Sequence, residues 1–471
     1  MNSILKTGHN KIKCQKFTPI ALVNTMLDLM DYKTNLIGKS VLENSFGSGN
    51  ILKVVVIRYI ESAISEGFDR KCVAEGLSRD IYGIELDEVL YKKCIDELNA
   101  IRKAYNIPKV RWNLFNKNAL VLNLRKQFDY VIGNPPYISY REMDACSRIS
   151  LKEKFKSCTT GKFDYCYAFI ELGLKCLKST GKLVQLIPNN IYKNVFAKNL
   201  RNILIDHIST ILDYPNQRLF DKTLTSVSIF LYDRANVSSN VVYENVTESI
   251  KKVVARQFLG DKWVFGTDDD NCKKGKRFGD IFHASIAVAT LYNKAFVLDN
   301  QYVDETELED FVIRNAASPK TLHLKKRVKI IFPYYYNNGT LQHYSLRKFK
   351  KLFPNTWRHL KKHKNQLENR NRDKKAAWFE YGRSQALSHI NTEKLLISTI
   401  ITNAVEVYKI DADTIPFSGI YITVKDINYS LDDAAEILKS ERFLHYVKDI
   451  GISISGKSLR VTCKDINNYQ F

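Results

Sequence analysis

Residues 129–137 read Asp129-Tyr130-Val131-Ile132-Gly133-Asn134-Pro135-Pro136-Tyr137, an apolar strand that stops abruptly at a polar, doubly prolyl turn. Such a strand end suits the capture of a planar amine. An exocyclic amine such as adenine N6 is a poor nucleophile because its lone pair is delocalised into the ring, so a catalyst must draw that nitrogen towards tetrahedral geometry. The Asn134 carboxamide oxygen and the Pro135 carbonyl can each accept one N–H bond, and a prolyl peptide holds its carbonyl in a fixed direction. Tyr137 offers a ring face to a base taken out of its stack, a contact worth about 1–3 kcal/mol per base. A plain strand-ending turn uses the same dipeptides. With Pro at about 5% of average usage, however, Asn-Pro-Pro-aromatic behind an apolar strand is rare by accident.

Outward from this stretch, short β-branched runs alternate with longer helical patterns over residues 39–233, which predicts an α/β fold with a doubly wound, mostly parallel sheet. Strands are expected at 39–42, 81–84, 129–133, 182–187, 209–212 and 226–232, and helices at 50–65, 87–105 and 164–177. In open α/β sheets ligands bind at the carboxyl ends of the strands, and the unusual residues collect there. Glu43 follows the first strand, and Ser45-Phe46-Gly47-Ser48-Gly49 makes a small-residue turn where backbone can approach a ligand without an intervening Cβ. Glu85 ends the second strand, where an acid can take both ribose hydroxyls of a nucleoside. The chain lacks Gly-x-x-x-x-Gly-Lys-Ser/Thr and a full Gly-x-Gly-x-x-Gly, and Glu43 would repel a pyrophosphate. S-adenosylmethionine fits instead, with a cationic sulfonium, a cationic ammonium and a bare ribose.

The chain has 471 residues, 45% of them hydrophobic and 26% charged, enough for two or three domains with full cores. Nine cysteines are scattered and form no Cys-x-x-Cys pair, so neither a disulfide framework nor a metal site is expected. There is no 18-residue apolar run, and a reduced, cytoplasmic protein without a membrane partner is expected. The net charge of +22 points to a polyanion. Residues 321–375 hold 16 Lys or Arg against Glu368 and Asp373, with Phe332, Tyr334, Tyr335, Tyr336, Tyr344, Phe349, Phe353 and Trp357 interleaved. This pattern reads as a groove contacting phosphates and bases, with Lys348, Lys350, Lys351, Arg358, Lys361, Lys362, Lys364, Trp378, Tyr381 and Arg383 as candidate DNA contacts. The βαβ repetition ends after Asp233, which places a boundary at 238/239.

With these motifs in this order, residues 16–233 resemble the gamma-class, TaqI-like N6-adenine DNA methyltransferases of restriction-modification systems. The resemblance implies an S-adenosylmethionine-dependent methyltransferase fold for residues 1–238 and an α+β target recognition domain for 239–471. Lys16, Phe17, Thr18 and Pro19 are similar to the N-terminal motif that folds over the methionine part of the cofactor. Glu43, Asn44, Ser45, Gly47 and Gly49 fall in the family's glycine motif, and Glu85 with Leu86 at its ribose-binding acid. Asn118 and Ala119 match the third cofactor motif, although the family usually carries Asp where Asn118 stands. Asn134, Pro135, Pro136 and Tyr137 match the catalytic motif, with Asn134 and Pro136 also facing the cofactor. Phe169 resembles the Phe that packs on the cofactor adenine, and Phe220 the Phe that stacks on the flipped base opposite Tyr137.

The implied activity is methyl transfer to adenine N6 of a flipped base in double-stranded DNA, by a monomer, protecting that DNA from a cognate restriction endonuclease. Because the cofactor fold begins within about 16 residues of Met1, any nuclease is expected on a separate chain. Three rivals share some of these features: an RNA adenine-N6 methyltransferase, a protein glutamine methyltransferase, and a non-catalytic DNA specificity subunit. The large basic second half favours duplex DNA, although a structured RNA would satisfy the same electrostatics, and the intact Glu43, Glu85 and Asn134 argue against the third.

Overall fold

The computed structural model describes residues 18–124, 127–220, 223–265, 275–455 and 457–471, with side chains throughout these except at 216, 218–220, 223–225 and 455. The chain divides into two compact units, Met1–Phe265 and Gly266–Phe471.

The first unit is built on one nine-stranded sheet. Its strands are β1 (Val41–Glu43), β2 (Ile81–Glu85), β3 (Asn113–Asn116), β4 (Phe128–Gly133), β5 (Leu177–Pro188), β6 (Ile208–Phe220), β7 (Thr223–Asp233), β8 (Asn240–Asn245) and β9 (Ile250–Ala255). They lie in the order β3-β2-β1-β4-β5-β7-β6-β8-β9. β3, β2, β1, β4 and β5 run parallel, whereas β7 is antiparallel to both β5 and β6. The helices are α1 (Ile20–Leu29), α2 (Asn50–Ser65), α3 (Arg70–Asp80), α4 (Glu88–Ala104), α5 (Ala145–Lys154), α6 (Cys166–Lys175) and α7 (Lys198–Leu204). Successive strand residues go to opposite faces, and helices cover both. Val41, Ile132 and Val184 join the core under α1 to α4, while Leu42, Val131 and Leu183 join the core with α6 and α7. This double covering is why the central strands read as continuous apolar runs rather than as alternating ones.

The expected helix at 50–65 is observed with those bounds. It starts at Gly49, whose φ of +82° is in the left-handed region and whose missing Cβ would otherwise run into Cys94 Sγ. α4 starts at Asp87, whose carboxylate accepts the amides of Val89 and Leu90. Strand order reverses between β1 and β4, which opens a crevice at their carboxyl ends.

The division between units falls at 265/266 rather than at 238/239. The reason is the hairpin of β8 and β9: β8 pairs in parallel with β6 and so extends the first sheet. The second unit is α+β. One four-stranded sheet runs Phe282–Ile286, Ile420–Val424, Lys394–Ile397, Val407–Ile410, and another runs Val297–Asp299, Val328–Ile331, Ile313–Ala317, Ile415–Pro416. Two helices, Leu431–Lys439 and Glu441–Ile450, follow these sheets in the chain. Ser440 separates them, because its hydroxyl accepts the Phe443 amide and caps the second. Ile452–Ser455 and Ser458–Arg460 pair antiparallel as a hairpin. No helix among the described residues is long and apolar enough to cross a membrane.

Candidate active site

The carboxyl ends of β1, β2 and β4 and the loop after β3 surround a cavity of about 350 Å³. Thr18, Glu43, Asn44, Ser45, Gly47, Glu85, Leu86, Asn118, Ala119, Asn134, Pro135, Pro136, Tyr137 and Phe169 all line it. Residues separated by more than a hundred positions thus converge where the strand order reverses. Pro19 caps α1 and Gly49 caps α2, so these two shape the wall without lining it. Lys16 and Phe17 lie outside the described residues. Phe220 ends β6, and its side chain lies outside them too.

Glu85 organises the glycine turn. One carboxylate oxygen accepts the Gly47 amide at 2.7 Å and the other accepts the Asp87 amide at 2.8 Å, which ties the turn after β1 to the start of α4. Each oxygen keeps a further lone pair for a ligand hydroxyl. Glu43 is 2% exposed, and burial, followed by the neighbouring Glu85 carboxylate, holds its carboxyl well above the usual range. Asn44 donates through Nδ2 to the Phe169 carbonyl at 3.0 Å, joining the end of β1 to α6. Buried and without a hydrogen-bond partner are Glu43 Oε2, Asn44 Oδ1 and Ser45 Oγ, all on the cavity wall. Two adjacent acids and three unsatisfied polar atoms suit a ligand that brings positive charge and donors.

At the turn after β4, Asn134 Nδ2 donates to Thr18 Oγ1 at 3.1 Å, and the Tyr137 hydroxyl donates to the Leu186 carbonyl of β5 at 2.9 Å. The second bond anchors the Tyr137 ring. Asn118 Oδ1 accepts the Leu120 amide at 3.0 Å and caps the 3-10 turn Ala119–Val121, leaving one lone pair for a ligand amine. Glu142, Met143, Asp144, Ser147 and Tyr165 also line the cavity, although nothing in their sequence pattern singles them out. Tyr165 stands 5.4 Å from Phe169, ring to ring.

The basic segment of the second unit sorts itself by face. Lys348, Lys350, Lys351, Arg358, Lys361, Lys362 and Lys364 are exposed. The interleaved aromatics are not: Phe332, Tyr334, Tyr344, Phe349 and Phe353 are buried in that unit's core. Phe349, Phe353, Trp357 and Leu360 recur at helical spacing, so an inward-facing stripe was legible in the sequence as core rather than as a stacking platform. Tyr381 is fully buried with its hydroxyl donating to the Ile331 carbonyl, and Trp378 is 7% exposed. Both belong to the core of that unit. Arg383 is half-buried and paired with Asp373 at 2.7 Å.

The parallel sheet, its reversal point and the cavity at the strand ends define an S-adenosylmethionine-dependent methyltransferase fold. Residues 49–220 match the model of the Eco57I restriction-modification methylase, and the chain carries that domain. It is 24% identical to the Type II methyltransferase M.BstVI of Geobacillus stearothermophilus, covering 94% of this chain and 87% of that protein. It is also 24% identical to the Type II restriction enzyme and methyltransferase RM.Eco57I of Escherichia coli, over 60% of this chain and 33% of that protein. The fold of the Type IIL restriction-modification enzyme MmeI, solved in complex with DNA, superposes with a TM-score of 0.62 at 14% identity, over 95% of this chain and 63% of that one.

Proposed function

We propose that this chain is a site-specific DNA methyltransferase that modifies adenine N6 in duplex DNA with S-adenosylmethionine as cofactor. The observation that carries the reading is Asn134-Pro135-Pro136-Tyr137 lining the same cavity as Glu43 and Glu85. When bound, S-adenosylmethionine supplies an electrophilic methyl group. Glu85 would hold its ribose hydroxyls, Glu43 with Asn44 and Ser45 would face its polar end, and Asn118 and Phe169 would take its adenine. The Asn134 carboxamide and the Pro135 carbonyl accept from the target amine and localise its lone pair. Tyr137, and Phe220 from the other side, stack on the extruded base.

The exposed lysines of the second unit support a phosphate-contacting role on double-stranded DNA. We take the protein to act as a monomer in the cytoplasm and to protect its site from a cognate endonuclease. Modification-sensitive sequencing of DNA from cells expressing it tests the reading, because base, position and recognition sequence are read together. N6-methyladenine at a defined sequence is expected. Methylated RNA with unmodified DNA would overturn it.

Two substitution sets follow. Tyr137→Ala should weaken capture of the extruded base by about 1–3 kcal/mol, read as lost 2-aminopurine fluorescence at the target. Tyr137→Phe should lose much less, since only the bond to the Leu186 carbonyl goes. Neutralising Lys361, Lys362 and Lys364 together should flatten the slope of log K against log salt by up to about 3 and leave sequence preference unchanged. An unchanged slope would place the DNA path elsewhere.

A further inference from the structure

Thr18 belongs to the cofactor-side wall, yet its hydroxyl is spent on the catalytic turn. Its Oγ1 accepts from Asn134 Nδ2 at 3.1 Å, across 116 positions of sequence. Thr18 is 4% exposed, and its own carbonyl accepts from Asn50 Nδ2 at 3.5 Å, so α2 steadies the residue from behind. A carboxamide has one donor end and one acceptor end, and rotation by 180° exchanges them. An amine-capturing Asn must present oxygen to the amine. Whatever holds the nitrogen end therefore decides whether the turn works.

We propose that Thr18 is a positioning residue for the reaction: by taking the amide nitrogen of Asn134 it selects the rotamer whose oxygen serves the target amine. The proposal rests on the methyltransferase reading above. It adds a coupling that a cofactor role for Thr18 does not contain, because the wall that encloses the cofactor also sets the acceptor for the base. A hydroxyl is required at this place and a methyl is not. Serine therefore replaces threonine, whereas valine, of the same shape, and alanine do not.

The test compares Thr18→Val, Thr18→Ala and Thr18→Ser in the full chain. Two readouts are used. Single-turnover methylation of DNA, measured with S-adenosylmethionine saturating for each variant, should fall by about tenfold or more in the first two variants and stay within about threefold in Thr18→Ser. The Asn134 side-chain amide, followed by 15N–1H spectroscopy and assigned by its loss in Asn134→Ala, should shift and exchange faster in Thr18→Val and return towards wild type in Thr18→Ser. An unmoved amide signal in folded Thr18→Val or Thr18→Ala overturns the proposal. So does a rate loss that tracks lost cofactor affinity and is not rescued by serine. If wild-type protein transfers no methyl group to DNA, the activity reading fails while the amide measurement still decides the contact.

Discussion

Asn134→Ala is expected to reduce methyl transfer by about a hundredfold to a thousandfold while leaving S-adenosylmethionine affinity within about tenfold. The substitution removes an acceptor that works on the reacting amine, so its effect belongs to the chemical step and not to the assembly of the cavity. Asn134 sits at the end of β4, whose partners β1 and β5 are untouched by the change, and the fold should persist. Single-turnover assays with labelled cofactor on DNA carrying the mapped site measure the loss. A folded variant keeping more than about a tenth of the wild-type rate sinks the role assigned to this residue.

Glu85→Ala should weaken S-adenosylmethionine binding by about a hundredfold without changing which DNA sequence is preferred. Two effects combine. The carboxylate that would take the ribose hydroxyls is lost, and the amides of Gly47 and Asp87 lose the acceptor that holds the glycine turn against α4. Hydrogen bonds to a charged group contribute about 1.5–3 kcal/mol each, so even one of them accounts for a tenfold or larger change. Removing Glu85 also takes away a negative charge that, after burial, helps to raise the Glu43 carboxyl, so that Glu43 should ionise at lower pH in the variant. Calorimetry at several pH values measures both. Unchanged affinity would make Glu85 a turn-organising residue alone.

Legibility in the sequence followed the range of the forces involved. The central strands and α2 were readable because hydrophobic period and a left-handed Gly49 are local properties. The Asn134–Tyr137 turn was readable because its four residues are contiguous. The β8–β9 hairpin was misassigned across a domain boundary, since a strand's sheet is chosen by its pairing partner and not by its own residues.

The same division holds for function. By itself the sequence determined the chemistry available: two acids at strand ends, an Asn-Pro-Pro-Tyr turn, and a segment with 14 excess positive charges. Tertiary structure alone decided which of these groups act together. Burial beside Glu85 sets the state of Glu43, Thr18 reaches Asn134 from 116 residues away, and Leu186 fixes the Tyr137 ring. It also buried Tyr381, whose hydroxyl donates to the Ile331 carbonyl. The physical reason is that side-chain identity travels with the chain, whereas desolvation, hydrogen-bond partnership and exposure depend on neighbours that only the folded backbone brings within reach.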